Sequence, residues 1–188
     1  MQKIAYLFIV AGLLSILYSV ILLIQRYNPN RLMFNGRVPT FYSDQTNKNL
    51  PIAFRIPELG IDLPVIPAYI KKDKWDTTTS GISWLIASPI PGELGNSILY
   101  GHNWNTLLGD LENAKPGYTV EILYKNSVKR YFRISYIAIV NPNQIHVLSP
   151  TDDARLTIYT CTGFLDQKRL VVTAEYQPST NANLSTTL

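Results

Sequence analysis

The sequence predicts a mainly β domain, a barrel or a sandwich, preceded by one N-terminal transmembrane helix. Three observations carry that expectation. Ile4 to Ile24 runs for 21 residues without a charge; as a helix rising ~1.5 Å per residue it covers roughly 30 Å, one bilayer core. From Pro51 onward, short β-type runs alternate with turn residues, the pattern of many short strands in one domain. Finally, 12 Tyr and 12 Pro stand against 2 Met, a usage that suits strands and turns better than a helical bundle.

The apolar run is longer than the roughly 7–15 residues of a cleaved signal peptide. Gln25-Arg26-Tyr27-Asn28-Pro29 after it offers no small-x-small cleavage site. An uncleaved anchor over residues 1–26 is the expectation. Lys3 and the α-amino group precede the span, and Arg26, Arg31 and Arg37 follow it. Taken alone, this bias leans weakly toward a cytoplasmic C-terminal domain. Residues 27–50 are rich in Asn, Pro, Ser, Thr and Asp, lack sustained periodicity and read as a linker. The folded domain is expected over 51–178 and a disordered tail over 179–188.

Within the domain the candidate strands are Ile52–Ile56, Ile61–Val65, Ser97–Tyr100, Tyr118–Tyr124, Lys129–Val140, Arg155–Thr160 and Leu170–Tyr176. Residues two apart in Tyr131–Ile137 share a character and hence a face. Prolines 57, 64, 67, 89, 91, 116, 142 and 150 fall mostly between runs, where they cost no ladder hydrogen bonds. Lys125-Asn126-Ser127 reads as a hairpin loop. Only Trp104–Ala114 and part of Lys71–Thr79 have the character of short helices.

Composition excludes several functions. The net charge of +4 is carried by the N-terminal segment: residues 1–43 hold four basic residues and no acid, leaving 13 basic against 13 acidic residues from Asp44 onward. A basic stripe that tracks phosphates is not indicated, so no nucleic-acid partner is expected. One cysteine excludes an intrachain disulfide framework and a Cys-rich zinc module. Asp110 and Glu112 are too few for the six or more oxygens that Ca²⁺ takes, and read as a solvated loop.

Chemistry centres on three strand ends. Cys161 closes the β-branched run Arg155–Thr160 and is followed by Thr162-Gly163. Such a position suits either a nucleophile at a barrel rim or an inert buried thiol. Gly101-His102-Asn103 follows the run Ser97–Tyr100. A nucleophilic Cys needs a base and its leaving amine needs an acid, and one imidazole serves both steps; a plain turn residue is the alternative. Arg169 opens the run Leu170-Val171-Val172 eight residues after Cys161. If the two runs are neighbouring strands, its guanidinium meets the thiol, where it can stabilise a thiolate or an oxyanion; otherwise it is a solvated charge, as Lys168 is expected to be.

Four segments together resemble the sortases, membrane-anchored cysteine transpeptidases. Ile56-Pro57-Glu58-Leu59-Gly60-Ile61-Asp62-Leu63-Pro64-Val65 is similar to their opening strands. Pro91-Gly92-Glu93-Leu94-Gly95-Asn96-Ser97-Ile98-Leu99-Tyr100-Gly101-His102 is similar to the approach to their histidine. Leu156-Thr157-Ile158-Tyr159-Thr160-Cys161 matches the order and spacing of Thr-Leu-x-Thr-Cys, with Ile158 where Leu is usual. Lys168-Arg169-Leu170-Val171-Val172 is similar to the arginine strand. The segments come in the family's order, and context of this kind gives a motif its weight.

The resemblance implies an eight-stranded sortase barrel with no cofactor and no metal. Cys161 would attack the Thr carbonyl of a C-terminal Leu-Pro-x-Thr-Gly-like sorting signal. His102 would protonate the leaving amine, and Arg169 would hold the substrate backbone and the oxyanion. An amine acceptor, a lipid-linked cell-wall precursor or a pilin lysine, would resolve the thioester. Thr160, and more weakly Asn103, would contact substrate. Asn141–Ala154 would form the loop that cradles the Leu-Pro part. The family's members place the domain outside the cell, so the protein is expected in the cell membrane, single-pass, with an extracellular catalytic domain. Trp84 and Trp104 read as packing residues and His146 as structural or solvated. Two other functions fit the residues: a thiol hydrolase with water as acceptor, and a non-catalytic anchored domain that binds peptides.

Overall fold

The computed structural model describes residues 2–26, 29–36, 49–71 and 74–178. Helix α1 spans Gln2–Arg26. Within its stretch Lys3–Gln25 an 18-residue window reaches a mean hydropathy of 2.8, and none of that window is buried against the rest of the chain. Apolar side chains such as Phe8, Leu13 and Ile24 are exposed around the whole helix. A helix apolar on every side and packed on nothing suits a lipid solvent, not water.

The strands are β1 (Pro51–Ile56), β2 (Ile61–Ala68), β3 (Ile70–Lys71), β4 (Lys74–Trp75), β5 (Ile82–Leu85), β6 (Gly95–Tyr100), β7 (Thr119–Tyr124), β8 (Lys129–Val140), β9 (Ala154–Thr162) and β10 (Lys168–Gln177). Eight of them close a barrel in the order β1-β2-β5-β6-β9-β10-β8-β7, while β3 and β4 form a separate two-stranded ladder. Closure leaves no free sheet edge. Of the two architectures open in the sequence, the chain takes the barrel.

Seven barrel strands lie where the sequence places them, within a few residues. The eighth, β5, is Ile-Ser-Trp-Leu, buried at all four positions. Covered on both faces, it shows no alternation from which a strand can be read. The Lys125-Asn126-Ser127 turn is present: Ser127 N–H donates to Tyr124 O, Tyr124 N–H donates to Val128 O, and Ser127 takes φ 65°. The two short helical expectations are corrected in part. Gly109–Asn113 is one turn of 3₁₀ helix, but the Lys71–Thr79 region carries the β3–β4 ladder instead, with Trp75 buried against Tyr100.

Two apolar clusters lie on opposite faces of β9. Leu156 and Ile158 point into the barrel with Val172, Ile122 and Phe132. Tyr159 and Cys161 point outward into a second cluster with Ile98, Tyr100, Val140, Leu148 and Val171. Period-two alternation separates the sets, and because both faces are covered, Leu156 to Cys161 are all buried.

Part of the segment expected as a linker covers that outer cluster. Pro29–Leu32 forms a 3₁₀ turn, and Leu32 and Phe34, two residues apart, are both buried in the cluster. The Phe34 ring meets Tyr159 edge-on at 5.0 Å, and Asn35 N–H donates to Pro142 O at 2.7 Å. In a polar stretch two apolar residues show no period by themselves; the receiving groove is built elsewhere in the chain. Residues 27–28 and 37–48 of the expected linker, and the expected tail from 179, lie outside the described residues.

Candidate active site

Strand register brings the three candidates together. β6 and β9 run parallel with Tyr100 opposite Tyr159; two residues further on, His102, just past the end of β6, and Cys161, next to last in β9, lie at the same end of the sheet. β9 and β10 run antiparallel with Cys161 directly opposite Arg169. The eight-residue spacing is therefore a tight connection, Gly163–Gln167, between neighbouring strands. Gly163 starts it at φ 78°, a left-handed conformation that costs glycine least.

Thr160, adjacent to the nucleophile candidate, takes the alternate face. Its hydroxyl donates to Gly101 O at 2.8 Å, tying the turn before His102 to the nucleophile strand. Alternation turns the side chain of residue 160 away from that of residue 161. Asn103 is likewise engaged within the protein, donating from Nδ2 to Asp166 Oδ1 at 3.0 Å. Trp104 stacks on His102, centroids 4.4 Å apart and planes at 8°. Trp84 is a core residue whose Nε1 donates to Pro89 O. His146 is exposed on the Asn141–Ala154 loop.

The site is dry and covered. Cys161 is only 4% exposed and Arg169 3%. Sγ of Cys161 donates to the Arg31 carbonyl at 3.1 Å. Arg169 donates from Nη2 to Met33 O at 2.9 Å and from Nη1 to Lys168 O and Asp166 O. Its Nε is buried without a hydrogen-bond partner. Pro29–Gly36 thus forms a strap over the site, and Arg31 fastens it, donating from Nη1 to Leu165 O at 2.8 Å and to Asp166 Oδ2 at 3.3 Å, while its Nη2 reaches Gln25 at the end of α1. Neither the strap nor Asp166 stands out in the sequence; an Arg-Leu-Met-Phe stretch acquires meaning only once the groove exists.

Electrostatics follow the burial. Desolvation pushes the Cys161 thiol up to about 11; Arg169 and Arg31 oppose that, and Asp166 adds to it. Burial holds the His102 imidazolium below its ordinary range, and the Asp166 carboxylate works against this. Both shifts favour the uncharged forms, thiol and imidazole. Asp110 and Glu112 stand exposed on a different loop, and among the described residues no group of three or more His, Cys, Asp or Glu is placed to hold a metal.

Residues 54–177 match the family model of the sortase domain. A search of curated proteins gives no match. Among solved structures, sortase A from Corynebacterium diphtheriae superposes with a TM-score of 0.62 at 22% identity, covering 88% of this chain and 86% of that one. Sortase C1 from Streptococcus agalactiae gives 0.59 at 24%, covering 73% and 72%. A Clostridium perfringens sortase D5 transpeptidase gives 0.57 at 21%, covering 69% and 81%. The barrel is shared with relatives of several sortase classes, and the family match spans it almost from end to end: this chain belongs to the sortase family, the cysteine transpeptidases, and carries an N-terminal helix fit to anchor it in a membrane.

Proposed function

We propose that the protein cleaves a C-terminal Leu-Pro-x-Thr-Gly-like sorting signal after Thr and transfers the Thr carboxyl to an amine acceptor outside the cell. The observation that carries this is the convergence of Cys161, His102 and Arg169 at one end of the barrel through strand register. The Cys161 thiol gives its proton to His102 as the sulfur attacks the Thr carbonyl carbon. Arg169, with an unused Nε donor, faces the oxyanion of the tetrahedral intermediate. His102 gives a proton to the Gly nitrogen as the C–N bond breaks, leaving a thioester. An incoming amine attacks that thioester, loses a proton to His102, and releases the thiolate.

The apolar groove supports an apolar residue in the signal. Leu32 and Phe34 fill it from the chain's own N-terminal side, against Trp75, Val140, Leu148 and Tyr159. The acceptor fits a lipid-linked cell-wall precursor or a pilin lysine, both primary amines. Thr160 and Asn103 serve by holding the His102 turn.

The reading is tested with the full-length protein in detergent and a Leu-Pro-x-Thr-Gly peptide. Intact-mass measurement should find an acyl adduct mapped to Cys161 and sensitive to hydroxylamine. Cys161→Ala should show none. Peptide cleavage by Cys161→Ala at the wild-type rate would remove the assignment.

A further inference from the structure

Asp166 stands beside the catalytic groups at some conformational expense. Leu165 and Asp166 take φ 52° and 60° in succession, a left-handed conformation that non-glycine residues rarely adopt and that concentrates at functional positions. The turn delivers three interactions at once. Asp166 Oδ1 accepts from Asn103 Nδ2, next to His102; Oδ2 pairs with Arg31; and the main-chain carbonyl accepts from Arg169 Nη1. The carboxylate is mostly buried, at 15% side-chain exposure. The charged and titratable groups facing the thiol and imidazole are Arg31 from the strap, Arg169 from β10, Asp166 from the connecting turn and the phenol of Tyr159 from β9. Lys168 is turned away to Asn141. Asp166 is the one anion in this set.

We infer that Asp166 is a positioning residue of the transpeptidation site: through Asn103 it fixes the turn that carries His102, and its carboxylate supplies the negative charge that favours imidazolium and opposes thiolate. Arg31 offsets that charge while the strap is closed. The inference rests on the transpeptidase reading for its purpose, but not for its test. Asp166 sets how the proton is shared between sulfur and imidazole before substrate arrives, and an imidazolium is what the departing amine requires.

The test uses the full-length protein in micelles, without peptide substrate. Cys161 alkylation by iodoacetamide is followed against pH. The His102 ring proton is titrated by NMR, its signal assigned by its persistence in His146→Ala. Asp166→Asn keeps an oxygen for Asn103 but loses the charge; Asp166→Glu restores it. The expected result is that Asp166→Asn moves both midpoints to lower pH, each by on the order of one pH unit, and that Asp166→Glu returns both toward wild type. A merely structural role gives a different pattern: a loosened, better-hydrated site lowers the thiol midpoint but raises that of the imidazole. Opposite movements, or none in a variant whose near-ultraviolet circular dichroism is unchanged, would overturn the inference. Failure of amine transfer with both midpoints shifted down would instead count against the transpeptidase reading and leave Asp166 in its role.

Discussion

Arg169 and Cys161 stand opposite each other across β9 and β10, and on the proposed mechanism the guanidinium acts on charge at the sulfur and on the neighbouring oxyanion. Loss of one such donor costs on the order of 10²–10³ in rate. Arg169→Ala should therefore lower kcat by that amount, and Arg169→Lys, which keeps the charge without the planar fork, should recover part of it; steady-state peptide cleavage measures both. The two histidines should separate just as clearly. His102→Ala should lose about 10²–10⁴ in rate, whereas His146→Ala, on an exposed loop, should keep most of its activity. The reverse order would exchange their roles. His102, Cys161 and Arg169 were legible as candidates because each ends or begins a strand. Asp166 was not, because one acid in a short turn carries no pattern until Asn103 and Arg31 are brought to it.

The Pro29–Gly36 strap is the element that most changes the picture of the site. With the thiol covered and its midpoint pushed up to about 11, on the order of one thiolate in ten thousand is present at neutral pH. The covered form is therefore a poor nucleophile. Proton linkage gives the sign of its pH response. Closure favours the protonated thiol, so it is strongest below the ordinary thiol value and weakens as pH rises from there toward about 11. Phe34→Ala removes a buried aromatic that holds the strap; a loss of about 3 kcal/mol raises the open fraction roughly 100-fold until the open form dominates. The expected outcome is faster alkylation of Cys161 with a midpoint at lower pH. Unchanged alkylation would show that the strap does not shield the thiol. Among the elements, long alternating strands such as β8 were readable from the sequence alone. β5 was hidden by burial on both faces, and the strap by its lack of any period of its own.

At the scale of the molecule, α1 and the barrel are joined where the strap lies, and Arg31 bridges Gln25 at the end of the helix to Asp166 beside the candidate catalytic groups. The anchor and the barrel were both readable because each rests on a repeated pattern, a long apolar run and a series of short strands; their meeting at the site depends on contacts between Arg31 and residues more than 130 positions away. An extracellular barrel predicts that protease added to intact cells digests the domain, and a protected domain would place it in the cytoplasm. The full-length protein should sediment with membranes, while a form beginning near Asn47 should remain in solution. That shorter form also lacks the strap, so its Cys161 should alkylate faster than that of the full-length chain.

The proposed transpeptidation requires Cys161 to pass an acyl group from a peptide to an amine. The most direct measurement is mass spectrometry of the products when the full-length protein receives a Leu-Pro-x-Thr-Gly peptide together with an excess of a simple primary amine such as triglycine. A transpeptidase gives a new product in which the amine is joined to the Thr carboxyl, formed by wild type and absent with Cys161→Ala. If the only product were the free acid at every amine concentration, with Cys161 still required, the protein would be a thiol hydrolase and the transpeptidase assignment would be contradicted.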